Sequence, residues 1–192
     1  SAGGAGGAAP ARLLMKLKPE LCKRLAAGAV GDGESPGGAA SSSGQSDAMT
    51  AGDICLLAHA YGHARGASER LDIFRALRDR FDSVVMLQLS ATELVGLGNS
   101  FAKLRQAEDW GCVEFFDRLG RQLVAIADRS SDALELRDTC VALNAFAQAA
   151  VRHEPLFFAL GQQLPPMLND RGCGMRQLSM LAHAHVRVGL SQ

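Results

Sequence analysis

The sequence has few aromatic residues, with one Trp and one Tyr among 192 residues, and few β-branched residues. Ala, Leu, Arg and Gln are plentiful instead, so local propensity favours helix over strand. No apolar run approaches the roughly 18 residues of a transmembrane helix, and we therefore predict no membrane partner. Lys and Arg total 20, as do Asp and Glu, which gives a formal net charge of zero. This balance argues against a strongly basic nucleic-acid-binding domain.

Paired cysteines are also lacking, because none of the five cysteines forms a C-x-x-C motif. An odd number without metal-ligand spacing predicts free thiols that are buried as small apolar residues in a reducing compartment. The sequence starts with "SAGGAGGAAP", without Met and without a hydrophobic signal segment. We expect an internal or processed start, with any targeting peptide removed or located upstream.

Composition divides the chain into four regions. Residues 1–10 are rich in Gly and Ala and are expected to be flexible, whereas residues 11–29 have a helical pattern of leucines. Residues 30–48 form a Gly/Ser-rich linker that is too poor in apolar residues to pack. Residues 49–192 are predicted to form a helical-repeat domain, and residues 11–29 are interpreted as the remnant of a preceding unit.

Four segments of this domain align on one bulky residue, with intervals of about 40, 45 and 39 residues. Small residues flank the bulky residue in most of the segments, which suits a helix whose neighbour comes close. We call the four aligned bulky residues the anchors, and each segment containing one a first helix. Thr50 and Ser90 stand where N-cap residues of the first two would be. The anchors are Tyr61, Phe101, Phe146 and His185.

A second helix is predicted after three of the four anchors. The segments "DIFRALRDRF", "EFFDRLGRQL" and "LFFALGQQL" each carry a Phe with a Leu three residues later, on one helix face. Each unit is therefore helix–turn–helix, and the predicted fold is all-α, an α-solenoid of about three and a half repeats. The fourth unit has no visible second helix. We therefore expect a longer polypeptide or neighbouring protein subunits to cover the ends of the array.

Two columns of hydrogen-bonding residues accompany the anchors. The first column lies two residues before each anchor and the second column two residues after, so each pair lies on one helix face. None of the eight residues is acidic, and such columns could contact phosphates or base edges of RNA, although a solvated helix face explains them as well. The first column is His59, Asn99, Asn144 and His183; the second is His63, Lys103, Gln148 and Arg187.

Arginines of the second helices are further candidates for RNA binding. Stacked along a solenoid, they could grip a phosphate backbone, but they alternate with carboxylates, so ion pairs within the protein are an alternative. Across residues 49–192 acids slightly outnumber bases. The arginines in question are Arg75, Arg78, Arg118 and Arg121.

No catalytic or cofactor-binding arrangement emerges from the sequence. His59 and His63 have the spacing of two metal ligands on a helix, but no third ligand is evident, so no metal is predicted. The glycines of "GLGNS" lie in a helix pattern, not after a strand, which excludes a phosphate-binding loop. We predict a non-enzymatic protein with no cofactor and no small-molecule substrate.

The segments "LSATELVGLGNSFAKL…FFDRLGRQL" and "ALNAFAQAAVRHEPLFFALGQQL" resemble the helical repeats of organellar RNA-associated proteins. These are the octotricopeptide and heptatricopeptide type and the repeats that precede RAP domains in FAST-kinase-like proteins. The repeats of this chain are longer and less regular than those of the family. The resemblance implies a mitochondrial protein, or alternatively a plastid one, that acts on RNA, as a ribosomal subunit or an RNA-processing factor. The alternative is a scaffold that contacts only protein subunits of a large organellar complex.

Overall fold

The computed structural model describes residues 17–23, 25, 50–63, 67–81, 83–104, 112–130, 133–171 and 173–189. These residues form helices and no strand, so the prediction of an all-α fold is confirmed. The predicted flexible segment 1–10 and linker 30–48 lie outside the described residues. The helices are α1 (17–23), α2 (Ala51–His63), α3 (Ala67–Arg80), α4 (Ser83–Leu87), α5 (Ala91–Ala102), α6 (Cys112–Arg129), α7 (Leu136–Gln148), α8 (Glu154–Arg171) and α9 (Met175–Val188).

Side-chain caps fix the start of the first two predicted first helices. The Ser90 hydroxyl accepts a hydrogen bond from the Glu93 backbone N–H, and the Glu93 carboxylate accepts one from the Ser90 N–H at 2.8 Å. Thr50 and Asp53 make the same reciprocal pair at the start of α2, at 3.2 and 3.0 Å. Each pair satisfies backbone donors that have no partner inside the helix. Both predicted N-caps are therefore confirmed.

The four first helices pack side by side in chain order. Helix α2 contacts α5, α5 contacts α7, and α7 contacts α9. Each of the first three also contacts the second helix of its own unit, which is α3, α6 or α8, and α6 contacts α8. None of the described helices is long and apolar enough to cross a membrane.

Aromatic rings form a continuous chain through the core between these helices. Phe101 is stacked on Phe115 with 4.1 Å between ring centroids, and Phe74 meets Phe101 edge-on at 4.8 Å. Phe116 meets Phe146 edge-on at 5.0 Å. Three of the four anchors are buried, as are the Phe and Leu of every predicted second-helix pair. The fourth anchor, His185, is half-buried and lies 5.9 Å from the ring of Phe157.

Two features of the helices were not predicted. The short helix α4 follows α3 directly, in the valine-containing segment "SVVML". Helix α8 continues beyond the predicted segment, through Pro165 and Pro166, to Arg171. The Gln163 amide donates a hydrogen bond to the backbone carbonyl of Ala127 at 3.0 Å, which ties this part of α8 to α6.

Candidate functional site

The eight column residues are all accessible on the layer of first helices. Four of them are exposed, and the four on α5 and α7 or just after α5 are half-buried. The small residues beside the anchors let the helices approach closely: a Cβ added to Gly62 would lie 3.2 Å from the Cβ of Ser100. This close approach brings equivalent positions of adjacent helices within reach of one another.

Each column contains one direct contact between neighbouring helices. In the second column, Nζ of Lys103 lies 2.7 Å from Nε2 of His63. In the first column, Nδ1 of His183 lies 3.3 Å from Oδ1 of Asn144. Within α2, the rings of His59 and His63 are 4.7 Å apart and link the two columns. The structure thus brings five of the eight residues together in two groups: His59, His63 and Lys103 in one, and Asn144 and His183 in the other.

The contact between Lys103 and His63 determines the protonation of the histidine. Because the Lys103 ammonium donates to Nε2, the neutral ring of His63 carries its proton on Nδ1. The charge of Lys103 lowers the pKa of His63, with smaller contributions from slight desolvation and from His59. Desolvation also lowers the pKa of Lys103. His63 is therefore neutral at physiological pH, and Lys103 supplies the positive charge of this part of the surface.

Carboxylates stand at the N-terminal ends of three of the four first helices. They lie six residues before the first column, at Asp53, Glu93 and Asp138. The first two cap their helices, and hydrogen bonds from Thr50 and Ser90 lower the pKa of each. The third accepts a hydrogen bond from the Thr92 hydroxyl at 3.0 Å.

The second-helix arginines lie on α3 and α6, and two of them form ion pairs within their own helix. Arg78 pairs with Asp79 at 2.7 Å, and Arg121 pairs with Asp117 one turn away. Arg75 is exposed, whereas Arg118 is half-buried. At two of the four positions, therefore, the arginine pairs with an acid of its own helix. This is the alternative to a basic stripe that the sequence left open.

A cleft of about 620 Å³ between α6 and the start of α8 was not predicted from the sequence. His153 lies at its edge and is 7% exposed. Nδ1 of His153 accepts a hydrogen bond from the Leu156 N–H at 3.1 Å, and Nε2 lies 3.7 Å from Asp117. Burial lowers the pKa of His153, which the nearby Asp117 partly opposes. In the sequence, His153 stands immediately before "EP" at a helix start, and this position could have indicated that it caps the helix.

The contacts of His153 are those of a helix cap. Its neutral ring accepts from the Leu156 N–H in the first turn of α8, which also donates to the backbone carbonyl of His153 at 3.1 Å. The described residues that line the cleft include no Ser, Thr or Cys that could act as a nucleophile beside it. We therefore assign His153 a structural role.

Neither a metal cluster nor an activated thiol is found among the described residues. No group of three or more His, Cys, Asp or Glu side chains could hold an ion there. Cys112 and Cys140 are buried, and desolvation raises their pKa values to about 12 and about 11. Cys55, which is half-buried, has its pKa raised to about 12 for the same reason. Such thiols are protonated at neutral pH and unreactive as nucleophiles.

Comparison of this chain with protein-family models, with curated proteins and with solved structures finds no match. The resemblance to the octotricopeptide and heptatricopeptide repeats therefore stays a prediction from the sequence.

Proposed function

We propose that this chain is a non-enzymatic helical-repeat protein that associates with RNA through the two columns. The proposed setting is an organelle, most simply the mitochondrion, within a ribosome or an RNA-processing assembly. The observation that carries the RNA proposal is that each column contains a direct contact between neighbouring helices. Lys103 lies 2.7 Å from His63 and His183 lies 3.3 Å from Asn144, with no carboxylate among the eight residues.

The order of helix contacts supports a solenoid as the architecture. Helices α2, α5, α7 and α9 contact one another in sequence, and second helices contact their own first helices. In a solenoid each unit contacts its neighbours, so equivalent surface positions form rows along the array. The columns are such rows, and a strand of RNA running across the first helices would meet both of them.

The chemistry of the columns suits unpaired RNA. Lysine and arginine can bind phosphate oxygens, while histidine and the side-chain amides can donate to or accept from base edges. Imidazole rings such as the exposed pair His59 and His63 also offer flat surfaces for base stacking. The small number of cations predicts moderate affinity that decreases with salt.

A protein scaffold is the second candidate, and two observations favour it. Arg78 and Arg121 are paired with acids of their own helices, which reduces the charge available to a phosphate backbone. Large apolar side chains are exposed on α9, including Met175 and Val186, as at surfaces that contact another protein. A scaffold would bind neighbouring subunits and leave RNA untouched.

Binding of a labelled single-stranded RNA, followed by fluorescence anisotropy, tests the RNA proposal directly. The double variant Lys103→Glu with Arg187→Glu reverses two charges in the second column, and we expect at least tenfold weaker binding. Arg129→Glu with Arg152→Glu makes the same charge change at two exposed positions away from the columns. Equal losses in the two double variants would mean that only net charge matters and would remove the columns from the proposal.

Crosslinking in intact organelles tests the biological setting. After purification under denaturing conditions, we expect the protein to carry one discrete RNA. Joint replacement of His63, Lys103, Gln148 and Arg187 by Glu should remove this RNA. Recovery of crosslinked proteins without RNA would support the scaffold.

A further inference from the structure

Helix α9 exposes a face that is covered in every preceding first helix. The face consists of the positions seven and three residues before the anchor and one residue after it. In α9, Leu178 is 43% exposed, Val186 is 77% exposed, and Ala182 is exposed as well. The equivalent residues of the earlier helices are all buried: Ile54, Ala58 and Gly62 in α2, Leu94, Gly98 and Ala102 in α5, and Thr139, Leu143 and Ala147 in α7.

In the earlier units, this face packs against two helices. A Cβ added to Gly98, three residues before its anchor, would lie 2.8 Å from Leu119 of α6, the second helix of the same unit. The position one residue after the anchor faces the following first helix instead. A Cβ added to Gly62, one residue after its anchor, would lie 3.2 Å from the Cβ of Ser100, one residue before the next anchor. The structure therefore has two complementary helix faces. We call the face defined above the leading face. The face of the next first helix that receives it contains the positions four residues and one residue before the anchor, and we call it the receiving face.

The receiving face of α2 is open at the opposite end of the array. Leu17 and Leu21 of α1, together with Leu56, Leu57 and Ala60 of α2, line a groove of about 560 Å³. Leu56 is 70% exposed, and Leu57 and Ala60 are half-buried. At the positions equivalent to Leu57 and Ala60, the later first helices are buried: Leu97 and Ser100, Ala142 and Ala145, and Leu181 and Ala184.

Helix α1 borders this groove in the position of a second helix, because it contacts the second helix α3. Lys18 of α1 forms a 2.8 Å ion pair with Asp72 of α3, so α1 lies against α3, as α6 lies against α8. Docking in this groove would give α9 the kind of contact that α2, α5 and α7 make with α3, α6 and α8.

The charges of the two ends are opposite. Helix α9 contains Arg176, Arg187 and two histidines but no carboxylate, whereas Glu20 and Asp53 border the groove. The register between neighbouring first helices also aligns these opposite charges. Thr92, nine residues before its anchor, bonds at 3.0 Å to Asp138, eight residues before the next anchor. The same register places Arg176 of α9 opposite the carboxylate of Asp53 in the groove.

We propose that this chain binds a second copy of itself head to tail, with the leading face of α9 in the groove between α1 and α2 of the next copy. Val186 then lies against Ala60, and α1 of the receiving copy serves as the second helix for α9. Such an interface joins two different surfaces, so it propagates from copy to copy into rings or open chains. The proposal goes beyond RNA association, although each added copy would lengthen both columns.

Sedimentation velocity of the RNA-free protein over a wide concentration range tests this interface. We expect assembly to increase with concentration in the wild-type chain and to be lost in either Val186→Glu or Leu56→Glu. Val113→Glu, at an exposed position of α6, is the matched control and should assemble normally. Circular dichroism should show the same helix content in all the variants.

Mixing the two variants identifies the head-to-tail geometry. Val186→Glu keeps an intact groove and Leu56→Glu keeps an intact α9, so an equimolar mixture should form dimers that grow no further. A wild-type chain that stays monomeric at all concentrations would overturn the proposal. The proposal would also be overturned if the wild-type chain forms dimers but the mixture of the two variants does not. That result would indicate a symmetric interface. Neither result depends on whether the columns bind RNA.

Discussion

A methyl group on Gly120 would lie within 2.6 to 2.8 Å of three atoms of the His153 ring. The ring rests directly on the backbone of α6, and its Nδ1 accepts the Leu156 N–H at the start of α8. Glycine at position 120 thus lets two second helices, α6 and α8, approach through a buried histidine. The cap of α8 and the packing of α6 depend on the same contact.

We therefore expect Gly120→Ala to lower the free energy of unfolding by about 1–3 kcal/mol, because the ring cannot move away without losing its cap. Urea denaturation followed by circular dichroism measures the change. Gly161→Ala in α8 is the control, since no atom lies within 4 Å of the added carbon. This control should raise stability by roughly 0.5–1 kcal/mol, as alanine favours the helix. A neutral Gly120→Ala would contradict the close contact.

The caps of the first helices give a second prediction. Ser90→Ala removes the acceptor for the Glu93 N–H and should destabilise the protein by about 0.5–2 kcal/mol. Glu135 occupies the N-cap position of α7 with extended backbone but without a side-chain cap bond. Glu135→Ser should therefore stabilise the chain. Denaturation midpoints of the two variants should shift in opposite directions, and a shared direction would refute the capping argument.

The pairing of Lys103 with His63 predicts a measurable change in titration. Lys103→Gln removes the largest cause of the lowered pKa of His63, so this pKa should rise toward its ordinary value of about 6.5. Proton NMR titration of the histidine rings measures it. Lys18→Gln, which removes a lysine paired to Asp72 instead, should leave the pKa of His63 unchanged.

The same shift makes stability depend on pH. Folding lowers the pKa of His63, so the unfolded chain binds a proton at this site more readily than the folded chain does. The stability that neutral His63 contributes is fully present above its pKa in the unfolded chain, about 6.5. This stability is lost as the pH falls through the lower pKa of the folded chain. Lys103→Gln should lose less stability on acidification than the wild-type chain. Denaturation curves at several pH values compare the two.

The first helices could be predicted because their pattern has a direct physical cause. A bulky residue between small ones, as in Ala145, Phe146 and Ala147, buries one ring while letting two helices approach. The cap at Ser90 and the apolar periodicity then determine where α5 begins. These signals are local, and the contact of Lys103 with His63 follows from them once equivalent helices lie side by side.

The features that escaped prediction depend on contacts distant in sequence. The continuation of α8 through Pro165 contradicts local propensity, and Gln163 holds that region against Ala127 of α6. The burial of His153 depends on Gly120, which lies on another helix. RNA binding by the columns, which we propose, involves a molecule outside the chain, so local patterns do not determine it.

The aromatic core gives the last prediction. Phe101 is 2% exposed, stacks on Phe115 at 4.1 Å and meets Phe74 at 4.8 Å, so it joins helices of two units. Phe101→Ala should cost about 3–5 kcal/mol, through lost burial and the cavity that remains. Phe158→Ala is the matched control, because Phe158 is 69% exposed on α8 and its replacement should change stability by less than about 0.5 kcal/mol. Comparable losses in the two variants, measured by urea denaturation, would mean that the ring chain contributes no special stability. A large loss confined to Phe101 would identify this ring as a principal link between the units.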